Sequence, residues 1–289
     1  VQQRSEIRAK GYNPHLLAMT ATPIPRTLAL TFYGAMDSTS IREMPHGRKP
    51  VRTASVPPDR RKDAYAFVRE QVESGGRAFV ICPMIQESET LQVRSAKEEH
   101  ERLATQVYPD LADAIGLVHG RIGTKAKDAV MRAFRDGDLS ILVSTAVVEV
   151  GIDVPEATVM MIEVAERCGL SQLHQLRGRV GRGSRNSHCL LLSETTDAQE
   201  NARLRIMQTV HDGFELAERD LELRGPGDIL GTRQHGLTRF QFASVTDMAT
   251  ILSAREEAEA IITRDPEMQF PEHAGLAMAV QSVLQTGEW

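Results

Sequence analysis

The chain has 289 residues, 41% apolar and 25% charged, with a formal net charge of −5. That is enough apolar material for one large domain or about two smaller ones. No apolar run approaches the roughly 20 residues needed to cross a bilayer, and the polar opening VQQRSEIRAK has no secretory apolar stretch, so a cytoplasmic protein is expected. Cys82, Cys168 and Cys189 stand far apart and outside any C-x-x-C pair, which argues for reduced packing thiols and against a disulfide framework or a zinc site. The net acidity excludes a coat of positive potential, but it leaves room for a local basic groove.

In chain order, His15 to Met19 is a lone apolar run leading into Thr20, like a strand taken from a larger sheet. With no initiator Met, this suggests a fragment; residues 1–45 are expected to be the remnant of a preceding domain, poorly ordered or packed in a non-native way. The prolines, glycine and charges of IREMPHGRKP, residues 41–50, suit an extended connector and mark a domain boundary. Residues 46–195 then alternate strand-like and helix-like segments, which predicts an α/β domain with a parallel sheet.

In that domain a helix is expected from Pro57-Pro58-Asp59 to Gly75-Gly76, then a strand over 78–85. Polar, irregular residues fill 86–97, followed by a helix over 97–107 and a short strand over 115–119. Thr124 is placed to cap a helix with Ala126, Ala129, Val130, Ala133 and Phe134 on one stripe and Lys125, Lys127, Arg132 and Arg135 opposite, stopped by Gly137. Strands over 140–144, 158–163 and 187–192, with a helix over 171–180, complete the domain. Residues 196–289 read as a helical module: a hairpin from a cap at Asp197, broken at Asp212-Gly213, a glycine-rich loop over 224–236, and helices over 244–264 and 273–286.

The densest chemical signal is QLHQLRGRVGR, residues 172–182, with Arg185 just beyond. Arg177, Arg179, Arg182 and Arg185 repel one another and lose side-chain entropy, so an anionic partner is expected. This string resembles motif VI of superfamily 2 helicases, which implies that Arg179 and Arg182 reach nucleotide phosphates, with Gln175 beside them. A guanidinium suits that task because its fixed fork stays charged and binds phosphate oxygens bidentately. The segment VSTAVVEVGIDVP, residues 143–155, resembles motif V, implying Thr145 on the DNA backbone and Gly151 and Asp153 on the ATP side. TATPIPRT, residues 20–27, resembles motif III, which implies an interdomain relay through Thr20 and Thr22. VHGR, residues 118–121, resembles a backbone-binding segment with His119 and Arg121 as DNA contacts, although a lone histidine after a strand can equally be structural.

Past the hairpin, Arg224-Gly225-Pro226-Gly227 and Leu230-Gly231-Thr232-Arg233-Gln234 resemble the translocation motif in the form found in the RecG family. That resemblance implies a RecA-like helicase C-terminal domain followed by a mostly helical module, with Arg224, Gly225, Gly227, Thr232, Arg233 and Gln234 converting domain closure into DNA movement. It also implies ATP and Mg²⁺ as ligands of the whole enzyme, forked or branched DNA as substrate, and a monomer with a single-stranded-DNA-binding protein as a partner and no role at a membrane. No G-x-x-x-x-G-K-[ST] phosphate loop occurs in these residues, so the chain by itself is expected to turn over almost no ATP. The rivals are a transcription-repair coupling factor, against which the R-G-P-G and T-R-Q residues weigh, and a non-catalytic DNA-binding module.

Overall fold

A computed structural model describes residues 49–83, 89–145, 154–197, 201–224 and 248–286, with positions 17, 19, 39 and 41. Expectations for Thr20, Thr22, Gly151, Asp153, Gly225, Gly227, Thr232, Arg233 and Gln234 lie outside these residues, as does nearly all of 1–45.

A six-stranded, all-parallel sheet organises residues 52–192 in the order β1-β6-β5-β2-β4-β3. The strands are β1 Arg52–Val56, β2 Arg77–Cys82, β3 Ile115–Val118, β4 Ile141–Thr145, β5 Ala157–Ile162 and β6 His188–Leu192. Along β2, Phe79 and Ile81 enter one core while Ala78, Val80 and Cys82 enter the other. Both faces are thus apolar, as a parallel sheet covered by helices on both sides requires.

One face receives α1 (Arg61–Glu73), through Ala64, Tyr65, Val68 and Val72, and α2 (Glu89–Arg102), through Ala96. The other receives α3 (Thr124–Asp136), through Met131 and Phe134, and α4 (Leu170–Arg177), through Leu170, Leu173 and Leu176. Beyond the sheet come α5 (Ala202–Thr209), α6 (Gly213–Arg224), α7 (Met248–Arg264) and α8 (Ala274–Thr286). Leu204, Met207 and Leu216 carry the α5–α6 hairpin into the same core as α4.

Several expectations need correction. β1 was not anticipated; it is an edge strand with two of its five residues exposed and one buried, so RTASV lacks the apolar run that marks a central strand. Helix begins at Glu89, inside the stretch read as irregular, and ends in a π-helical turn, Leu103–Val107. Gly123, not Thr124, occupies the cap of α3, with no side-chain cap. Its buried stripe is Met131 and Phe134, while Ala126 and Ala129 are exposed. The hairpin starts after Asn201 rather than at Asp197. Asp212 does cap α6, accepting the amides of Phe214 and Glu215 at 2.7 and 2.9 Å. Gly137 ends α3 at φ 100°, and all three cysteines are free and buried.

Candidate nucleic-acid and nucleotide sites

In a parallel sheet every strand ends on the same edge, and loops at that carboxyl edge are where α/β folds bind ligands. The register pairs Val118 with Ser144, so His119 and Thr145 follow side by side at that edge. Both line a cleft of about 190 Å³ with Val118, Gly120, Ile122, Thr124 and Lys127. Thr145 is only 2% exposed, yet among the described residues its Oγ1 has no hydrogen-bond partner, and neither has Nδ1 of His119. Leaving buried polar atoms unpaired is costly, so a cleft with two of them on its wall offers both to a ligand.

The charge of the cleft sets the kind of ligand. α3 points its amino end here, with free amides and the positive end of its dipole, and Lys127 adds a full charge one turn in. Burial pushes the His119 imidazole down, and the nearby cations Lys97 and Arg121 push it the same way. Arg121 itself is exposed at the rim. Donors, a dipole and cations converging on unpaired hydroxyl and imidazole groups favour a phosphate. The sequence reading placed Thr124 only as a cap and Lys127 only on a basic face and missed both as cleft residues, although their i, i+3 spacing in a first helical turn after a strand was the available signal.

The arginine cluster lies at the opposite edge. α4 runs from the carboxyl end of β5 to the amino end of β6, so the residues after it sit at the amino edge. Accordingly, a side chain at Gly183 would run into the carbonyl of Pro155, just before β5, and Gly181 holds φ 75° against Val51. The interleaved glycines thus serve close backbone packing and a left-handed turn.

The four arginines do not share one partner. Arg177, 4% exposed, donates to the carbonyls of Met207, Val210 and His211 at 2.9, 3.0 and 3.3 Å, clamping the end of α5. Arg185 donates to the Ser74 carbonyl at 2.8 Å, closing the end of α1. The expectation of an anionic partner therefore fails for these two, whose charges satisfy backbone oxygens at helix ends. The Arg179 side chain is half-buried, with no hydrogen bond or ion pair among the described residues, and Arg182 and Gln175 are exposed. Arg182 Nε donates to the Gly178 carbonyl in its own turn at 3.4 Å. Arg179 and Arg182 thus differ from Arg177 and Arg185, whose guanidinium groups hold backbone carbonyls of neighbouring helices.

Residues 61–184 match the model of the helicase conserved C-terminal domain, and residues 210–287 match that of domain 3, C-terminal, of the ATP-dependent DNA helicase RecG. The chain belongs to the RecG helicases. It is 50% identical over 270 residues to the RecG of Synechocystis sp., covering 93% of this chain and 32% of that relative. With the Bacillus subtilis RecG it shares 46% over 283 residues, covering 96% of this chain and 40% of the relative. A RecG solved bound to a three-way DNA junction superposes with a TM-score of 0.64 at 48% identity, covering 82% of this chain and 30% of that one. The chain thus spans between 32% and 40% of the length of these two curated relatives. The RecG domain match over 210–287 falls where the R-G-P-G and T-R-Q residues had weighed against a coupling factor.

Proposed function

We propose that this chain is the C-terminal part of the motor of an ATP-dependent helicase that remodels branched DNA, acting in the bacterial cytoplasm as a monomer that meets a single-stranded-DNA-binding protein. Residues 46–195 are its second RecA-like domain, 196–289 its translocation module and 1–45 the end of its first motor domain. The observation that carries this reading is the cleft at the carboxyl edge, where unpaired Thr145 Oγ1 and His119 Nδ1 face Lys127 and the amino end of α3.

In this reading the cleft holds a backbone phosphate of DNA. Thr145 donates its hydroxyl, His119 its ring N–H, and Lys127 and the amides of α3 neutralise the charge, with Arg121 at the rim. No group here addresses a base edge, so recognition is by backbone and shape. At the other edge Arg179 and Arg182 extend their guanidinium forks to nucleotide phosphates held by an upstream domain, with Gln175, Gly151 and Asp153 alongside. Because Thr145 begins and Val154 ends the segment that carries Gly151 and Asp153, one stretch of chain joins the two edges. In this reading ATP and Mg²⁺ are held mainly by the first motor domain of the whole enzyme. Thr20, Thr22, Arg224, Gly225, Gly227, Thr232, Arg233 and Gln234 relay and convert the motion. No helix among the described residues is long and apolar enough to cross a membrane.

The test is ATP turnover by the whole protein that carries this chain, with forked, linear and no DNA. Arg179→Ala and Arg182→Ala are each expected to lower fork-stimulated turnover by about 10³-fold or more, the range of arginine fingers in phosphoryl transfer. Wild-type turnover in both variants would remove the arginines from the phosphate site.

A further inference from the structure

At the carboxyl edge, on the other side of β2 from the cleft, a second polar assembly remains unused by the proposed chemistry. Glu163 follows β5 and is 5% exposed, and its carboxylate is ion-paired with Arg61, the first residue of α1. Arg61 Nε donates to the Tyr65 hydroxyl at 2.8 Å, and Arg102 donates to the same oxygen while gripping Glu99 with two bonds of 2.6 and 2.9 Å. One continuous chain of charged and polar groups therefore ties α2 and α1 to the turn that leaves β5.

That turn is strained. Val164, a β-branched residue, sits at φ 47°, ψ 45°, in the left-handed region that such side chains avoid. Glu166, two residues on, is buried and accepts the Glu194 amide at 3.2 Å, tying the turn to the end of β6. Three residues after Cys168 closes the turn, α4 is under way, and it ends at Arg177, two residues before Arg179.

A buried ion pair with one carboxylate oxygen, Glu163 Oε1, left unpaired among the described residues is a poor device for stability, since apolar residues of similar volume usually do as well or better. What the pair does supply is a fixed geometry. We propose that Arg61 and Glu163 are positioning residues for the arginines: their ion pair holds the strained turn that aims α4, and hence Arg179, at the nucleotide phosphate. Arg177 pins the far end of the same helix to the hairpin, so α4 is held at both ends and its buried seam of Leu170, Leu173 and Leu176 keeps it rigid between them.

This inference rests on the proposed phosphate role of Arg179, and the experiment separates the two. The whole protein is made as Arg61→Met, Glu163→Gln, the double variant Arg61→Met with Glu163→Leu, and Arg179→Ala. Each is measured for DNA-stimulated kcat, KM for ATP, DNA affinity and melting temperature. A misplacement of about 1 Å can cost about 10²-fold, so the two single pair variants are expected to lose roughly tenfold to a hundredfold in kcat, with KM and DNA affinity changed by less than about twofold. The double variant is expected to regain the wild-type melting temperature without regaining kcat, a split that a merely structural pair cannot give. Recovery of kcat together with melting temperature, wild-type kcat in either single variant, or an effect confined to KM would overturn the positioning role. If a single variant fails to fold, the double variant decides. Wild-type turnover in Arg179→Ala would instead sink the phosphate assignment itself, whatever the pair variants do.

Discussion

Replacing Arg177 should loosen the α5–α6 hairpin without disturbing the sheet. The guanidinium is buried and makes three hydrogen bonds, of which those to Met207 and Val210, at 2.9 and 3.0 Å, are well formed and that to His211, at 3.3 Å, is weaker. Charge-assisted bonds of this kind contribute about 1.5–3 kcal/mol each, but Arg177→Ala also releases the desolvation that pushes this guanidinium's pKa down, so the net loss is about 3 kcal/mol. If the hairpin opens locally, a loss of that size raises its opening constant by about 10²-fold. Native-state hydrogen exchange over residues 202–224 reads this directly, with the amides of β2 and β5 as an internal control that should keep their protection. Lysine offers a single ammonium in place of the fork and reaches one carbonyl at a time, so Arg177→Lys should fall between alanine and wild type. Unchanged exchange over 202–224 in Arg177→Ala, or lysine performing as well as arginine, would refute the clamp.

Two further outcomes follow from the cleft. Lys127→Ala should weaken DNA binding similarly for all sequences and reduce the slope of log affinity against log salt by roughly 0.7–1, the share of one released counterion; an unchanged slope would place Lys127 outside the phosphate contact. His119, held below the ordinary imidazole range by burial and by Lys97 and Arg121, is neutral in the free protein at neutral pH, and its contribution to folding stability is lost as pH falls through that lowered value. A bound phosphate favours the imidazolium, so binding takes up a proton, and DNA affinity should rise as pH is lowered from about 7 to about 5, a trend that His119→Gln removes. The same pH profile in wild type and variant would show that His119 does not meet the phosphate.

Much of the fold was legible because the apolar strands are central ones. ILVST and ATVMMI are buried throughout, and runs of that kind between turn residues stand out in any sequence. RTASV did not stand out because an edge strand is specified by its neighbour β6 rather than by its own hydropathy. The helix from Glu89 was missed for a related reason: its polar face made a covered helix look like an irregular loop. At the site, the motifs pointed to particular stretches of chain, but spacing could not tell apart arginines that close neighbouring helices from arginines that face outward. Arg177 and Arg179 lie on nearly the same stretch, yet one is sealed under the hairpin and the other is half-exposed, a difference set by where α5 ends and not by anything local to the motif.

The clamp on α5 bears on how a motor of this kind could connect its two ligands. α4 has eight residues, a rod of about 12 Å at the usual helical rise, and it spans the sheet from the edge with the Thr145 cleft to the edge with the arginines. Because Arg177 holds Met207, Val210 and His211, any rotation of α4 that moves Arg179 toward or away from a phosphate must carry the end of α5 with it or break those bonds. Close-packed interiors transmit such displacements rather than absorbing them. The hairpin then moves its second helix, α6, which ends at Arg224 and leads into the glycine-rich loop. A variant that opens the clamp should therefore lose DNA movement, which in the proposed reading depends on the hairpin, by a larger factor than ATP turnover, which in that reading depends on Arg179.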